Sequence, residues 1–87
     1  MIKRIYSVNI AVKDLDEAVA RYESALGVKA EHLQEADFAF PGLVGAKLNV
    51  NGVYITLIGS KTGNTSVASF LERRGEGVFL VSFEVDS

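Results

Sequence analysis

The chain has no cysteine and no tryptophan, and only one proline, one histidine and one methionine among its 87 residues. Without cysteine there is neither a disulfide staple nor a thiolate metal centre. Charge of one sign is also lacking: 9 basic residues stand against 11 acidic ones, for a net charge of −2. The basic residues form no run, only the pairs Lys3-Arg4 and Arg73-Arg74, so no nucleic-acid partner is expected. No apolar stretch approaches the ~20 residues of a membrane helix, so no membrane partner is expected either. The opening IYSVNIAV is interrupted by Ser7 and Asn9 and followed by Lys13-Asp14, which reads as a strand and not as a signal core. A cytoplasmic protein is the expectation. One domain is the ceiling at this length, and such a chain buries only about 60–65% of its unfolded surface. A hydrophobic fraction of 48% is rich for that size and suggests apolar surface covered by a second copy.

What is present divides into clear elements. From Ile5 to Val12, Tyr6, Val8, Ile10 and Val12 alternate with Ser7, Asn9 and Ala11, a strand with one apolar face. Asp14 opens a helix, with Glu17 three residues on to complete a capping box. Leu15, Ala18, Val19, Tyr22 and Leu26 share one helical face, and Gly27 stands at a left-handed cap. A weaker strand runs from Val28 to about Gln34, then a loop passes through Pro41-Gly42. Leu43–Val50 and Val53–Ile58 flank Asn51-Gly52, a strong hairpin signal. Thr65 caps a short helix whose Val67, Phe70 and Leu71 share a face, and Gly75 stops it. Val78–Val85 is the last strand.

That last strand resembles the first. Displaced by 73 positions, IYSVNIAVKD lies over VFLVSFEVDS, with Ile5 on Val78, Tyr6 on Phe79, Ile10 on Phe83, and Val8 and Val12 each on an identical Val. Ser87 then falls where Asp14 capped the first helix. The expected fold class is α+β: a βαβββ module over residues 1–58, a linker with a helix over 59–77, and over 78–87 the first strand of a second, absent module. Both helices are expected on the convex face of the sheet.

With these elements the sequence resembles the vicinal oxygen chelate superfamily of glyoxalases, bleomycin-resistance proteins and extradiol dioxygenases, built from paired βαβββ modules. Within it, MIKRIYSVNIAVKDLDEAVARYESALGV and SVASFLERRGEGVFLVSFEVDS look like the methylmalonyl-CoA epimerase branch. The likeness covers nearly the whole chain and is weakest from Glu35 to Gly45. The resemblance implies a divalent metal acting as a Lewis acid on a substrate carbonyl. It also places the ligands: the first His of the family falls on Ser7, the strand-four carboxylate or amide on Thr56, and the second-module His on Leu80. Two weak neutral donors and one apolar residue make a degenerate set, so no metal and no cofactor are expected. Alternation puts Ser7, Thr56 and Leu80 on the faces opposite Tyr6/Val8/Ile10, Ile55/Leu57 and Phe79/Val81/Phe83, lining the concave side of the sheet. The ligand-binding set expected there is Ser7, Asn9, Tyr54, Thr56, Leu80 and Ser82, with Lys47 and Asn49 able to share the face.

Other candidates have plainer explanations. His32 sits alone on a weak strand and reads as a surface residue. Glu31 and Glu35 lie about 13 Å apart in an extended segment at ~3.3 Å per residue, so they read as solvated. Asp14, Asp16 and Glu17 suit the positive end of a helix, and the glycines match no phosphate-binding pattern. Glu84 alternates onto the side of Leu80 and Ser82, where burial would let it serve as a base; a solvated strand-end carboxylate is the simpler reading. Three readings stay open. One is a metal-independent domain that binds a small molecule or serves assembly, as a homodimer or higher oligomer with or without strand exchange through Val78–Val85. The second is an epimerase, lyase or isomerase resembling methylmalonyl-CoA epimerase or glyoxalase. The third is one half of a longer two-module protein.

Overall fold

The computed structural model describes residues 1–38 and 40–86, so the cap expected at Ser87 lies outside the described residues. Eight elements follow in order: β1 (Ile2–Ala11), α1 (Leu15–Leu26), β2 (Glu31–Leu33), a 3-10 turn (Glu35–Asp37), β3 (Leu43–Val50), β4 (Val53–Ser60), α2 (Ser66–Arg74) and β5 (Gly77–Val85). The strands form one mixed sheet in the order β2-β3-β4-β1-β5. Only β1 and β4 run parallel, and β5 lies antiparallel against β1 of its own chain. The fold is α+β, a βαβββ module extended by one strand.

The local signals act as the chemistry requires. Asp14 accepts a hydrogen bond from the Glu17 backbone N–H at 3.1 Å, capping α1, and Gly27 closes the helix at φ 71°. The second half of the expected capping box does not form. The Glu17 carboxylate turns forward to Arg21, one helical turn on, where an opposite charge outcompetes a neutral N–H. Asn51 and Gly52 both take positive φ, 56° and 96°, the backbone a two-residue hairpin demands. Asn49 steadies this turn by accepting from the Gly52 N–H at 2.8 Å. The second strand is shorter than its apolar residues suggested, only Glu31–Leu33; Val28 and Ala30 instead pack against the core under α1.

Two clusters lie on opposite faces of the sheet. Under α1, Ala18 and Val19 meet Val12, Ala46, Leu48 and Leu57, with Ile10, Tyr22 and Ile55 around them. The expectation that α2 shares this convex face is overturned. Val67 of α2 packs with Ala11, Leu43 and Ile58, and Ala11 and Ile58 alternate with the α1-facing residues. The apolar face of α2 covers the one part of the concave side that is itself apolar, with Phe70 edge-on to Phe79 at 5.2 Å. The sheet is thus roofed at one end of its hollow and open along the rest.

The register slips three times along the β1–β5 ladder: Ile2 pairs with Val85 and Arg4 with Glu84, leaving Lys3 extra, and two further slips lie deeper in the sheet. Ile5 pairs with Phe83 and Ser7 with Ser82, leaving Tyr6 as an extra residue; Asn9 pairs with Leu80 and Ile10 with Val78, leaving Phe79 extra. An extra residue in a ladder re-aims its side chain. Tyr6 and Phe79, expected on the convex stripe, both line the concave hollow.

Gly45 marks the tightest packing in that hollow. A Cβ there would stand 2.6 Å from the Leu57 carbonyl oxygen and 2.8 Å from the Phe38 ring. Gly45→Ala is expected to cost about 1–3 kcal/mol of stability. Gly63→Ala, with nothing within 4 Å, should stay within about 0.5 kcal/mol. Paired urea denaturation curves check both.

Candidate functional site

The concave face encloses a hollow of ≈ 560 Å³. Its floor is the β1–β4 parallel pair, where Ser7 stands beside Tyr54 and Asn9 beside Thr56. β3 contributes Lys47, directly across from Thr56, and β5 contributes Leu80 and Ser82. All six residues expected to bind ligand, Ser7, Asn9, Tyr54, Thr56, Leu80 and Ser82, line this one hollow. Lys47 lines it too, whereas Asn49 is spent on the hairpin turn.

The floor is polar. Ser7 Oγ and Thr56 Oγ1 lie 3.1 Å apart in a hydrogen bond, with the two residues only 5% and 8% exposed. Asn9 Nδ2 donates to the Leu80 carbonyl at 3.3 Å, tying β1 to β5. No buried side-chain N or O among the described residues lacks a partner. Beside this floor Tyr6 and Tyr54 tilt against each other at 5.6 Å. The Lys47 ammonium rests 4.8 Å from the centre of the Tyr54 ring, a cation–π contact.

Glu84 is not part of the hollow. Its carboxylate pairs with Arg4 Nε at 2.7 Å, and Arg4 also donates to the Gly52 carbonyl at 2.9 Å. An exposed strand-end carboxylate beside a guanidinium takes the ion pair, so the side chain expected on the concave face is anchored beyond it. His32 is exposed on edge strand β2, opposite Ala46, and is likewise outside the lining.

One contributor was hidden in the sequence. Glu35 reads as solvated, yet its carboxylate accepts from the Gly42 N–H at 2.6 Å and pairs with Lys61 at 3.4 Å. It staples the segment that brings Asp37, Phe38 and Phe40 to the rim of the hollow. The Gly42 N–H, then Lys61, hold this carboxyl below its ordinary range. A carboxyl lowered in the folded state stabilises the fold above its unfolded pKa, and that contribution is lost as pH falls through the folded value. Thermal melts between about pH 3 and pH 7 should show Glu35→Gln less stable than the parent at neutral pH. The gap should close in acid.

The donor set does not fit a divalent ion at the positions the family resemblance implies. Ser7 and Thr56 offer neutral hydroxyls already bonded to each other, and Leu80 offers no donor. Among the described residues, no three His, Cys, Asp or Glu side chains are grouped to hold a metal. The three positions nevertheless line one hollow: Ser7 touches Thr56, and Leu80 pairs across the strand from Asn9. Combining Ser7→His, Thr56→Glu and Leu80→His is expected to bring two imidazoles and a carboxylate together there, a set suited to cobalt or zinc. Cobalt titration read by absorbance should show the triple variant binding far tighter than any single one. Equal binding would mean that the three positions do not meet.

Neither a protein-family model nor a curated protein sequence matches the chain; the likeness is carried by three-dimensional structure. Methylmalonyl-CoA epimerase from Mycobacterium tuberculosis superposes with a TM-score of 0.84 at 29% identity, over 99% of this chain and 57% of that one. A variant of the Streptomyces coelicolor methylmalonyl-CoA epimerase, in complex with 2-nitronate-propionyl-CoA, matches at 0.84 and 26% identity, over 95% of this chain and 60% of that one. A hypothetical protein from Bacillus halodurans C-125 shares the fold at 0.84 and 22% identity, covering 97% and 59%. The chain thus spans somewhat under two thirds of the length of each. Across its described length the chain carries the vicinal oxygen chelate fold, in the form seen in methylmalonyl-CoA epimerase structures.

Proposed function

We propose that this chain is a ligand-binding module of the vicinal oxygen chelate type that takes an acyl compound in its concave hollow without a resident metal. One observation carries the reading: the polar floor at the implied ligand positions is a neutral hydroxyl pair, Ser7–Thr56, beside a single cation, Lys47. The similarity to epimerase structures holding CoA thioesters supports acyl thioesters as the first compounds to try. Turnover of the epimerase kind needs a base at the carbon whose proton moves. The carboxylates on the lining, Glu31 and Asp37, are both exposed, and Asp37 accepts from the Gln34 N–H at 2.7 Å. Binding is therefore favoured over epimerisation.

The chain in this proposal works as a homodimer. Ile2, Ile5, Phe83 and Val85 are exposed along the β1–β5 side, paired in register, and β5 is an unpaired sheet edge. Such an edge invites a second copy. Light scattering at high micromolar concentration should give the dimer mass, and Phe83→Lys should shift it toward the monomer. A monomeric parent protein would contradict the assembly.

Calorimetric titration with methylmalonyl-CoA in chelator should give saturable binding that Thr56→Val weakens. Proton–deuterium exchange at the acyl carbon should stay at the uncatalysed rate. Elemental analysis should find no stoichiometric transition metal. Exchange above background, or one zinc, cobalt or manganese per chain, would favour the epimerase reading instead.

A further inference from the structure

The hollow is not uniform from end to end, and its gradient specifies a ligand. At one end of β4, Tyr54 stands with Tyr6 and Lys47; mid-strand, Thr56 meets Ser7; at the other end, Ile58 is joined by Leu43, Val67 and Phe79. Tyr54 and Ile58 are four residues apart on one strand, hence about 13 Å at ~3.3 Å per residue. Polarity falls along that line from a cation and two phenols, through two hydroxyls, to an end lined mainly by apolar side chains, with Ser66 and Asp37 beside them. That apolar end is built: α2 roofs it, Leu43, Ile58 and Val67 are buried there, and Phe70 backs Phe79. Phe38 lies across Gly45, where no side chain has room. Phe40, 68% exposed, reaches the same rim.

The head end is equally specific. Lys47 is the only cationic side chain on the lining and forms no ion pair among the described residues. Of the two carboxylates on the lining, Asp37 accepts from the Gln34 N–H. Glu31 is exposed on edge strand β2, across from Lys47 but not bonded to it. A cation held over a phenol ring and lacking a carboxylate partner is suited to an incoming anion.

Building on the proposed metal-free binding role, we infer that the hollow takes a free carboxylate with an apolar arm, an alkyl or aryl acid. The acid group lies toward Lys47 and Tyr54, and the arm lies under α2 against Phe79, Ile58 and Phe40. The hydroxyl pair at mid-strand is the contact for a carbonyl or hydroxyl carried next to the acid group.

Straight-chain carboxylates from acetate to octanoate, titrated against the intact chain and followed by NMR, test the inference. Affinity should rise by about two- to fourfold per added methylene, then level off as the arm fills the roofed end. Lys47→Gln should weaken every acid by a similar factor of about two to five, and Lys47→Arg should restore most of it. Phe40→Ser, at a side chain exposed enough to leave the fold intact, should flatten the dependence on length without weakening acetate. Alkylamines of matching length binding as well as the acids would overturn the assignment of the head end. Methylmalonyl-CoA binding with no length dependence among the acids would overturn the inference while leaving the binding role standing. Failure of the thioester and of every acid would remove both.

Discussion

The structure depends on β1 occupying the centre of the sheet, parallel to β4 on one side and antiparallel to β5 on the other. A parallel pair requires a crossover, and α1 with β2 and β3 supplies it, so the convex core under α1 follows from that choice of neighbour. On the opposite face the same pairing sets Ser7 against Thr56 across strands distant in sequence. Their hydrogen bond at 3.1 Å is the buried polar tie of the concave side. Were either hydroxyl removed, the other would stand buried without a partner, at a cost of about 1–3 kcal/mol.

That tie also decides what chemistry the hollow offers. Neutral hydroxyls are weak donors for a divalent ion, and Leu80 completes an apolar third corner. Burial of neutral hydroxyls is inexpensive once they are paired, whereas unpaired carboxylates and imidazoles at the same depth would demand a cation. The floor of the cup is neutral. In the proposed binding role, recognition falls to Lys47 at one end and to the apolar roof under α2 at the other.

Much of this was legible in the sequence because it rests on short-range rules. The Asn51-Gly52 hairpin, the caps at Asp14, Gly27, Thr65 and Gly75, and the period-two pattern of β1, β3 and β4 each state their own structure locally. The six residues expected on the concave face meet there because alternation holds through Ser7, Asn9, Tyr54 and Thr56. Three things were not legible. The extra residues Tyr6 and Phe79 belong to the register between two strands far apart in sequence, which neither strand encodes alone. The side chosen by α2 depends on which face of the sheet remains uncovered once α1 has packed. Glu35 and Glu84 are ordinary surface carboxylates by sequence, and only the arrival of Gly42, Lys61 and Arg4 from other segments gives each its partner.

In the proposed role an organic ligand, and no metal ion, occupies the floor formed by Ser7 and Thr56. The backbone amide signals of Ser7, Asn9, Thr56, Leu80 and Ser82 report on that floor directly. Two-dimensional NMR of the labelled chain should show these signals shifting together on addition of methylmalonyl-CoA in chelator. Manganese added without ligand should leave them unbroadened. Selective broadening of Ser7, Thr56 and Leu80 by manganese, with ligand shifts appearing only once the metal is present, would contradict that role.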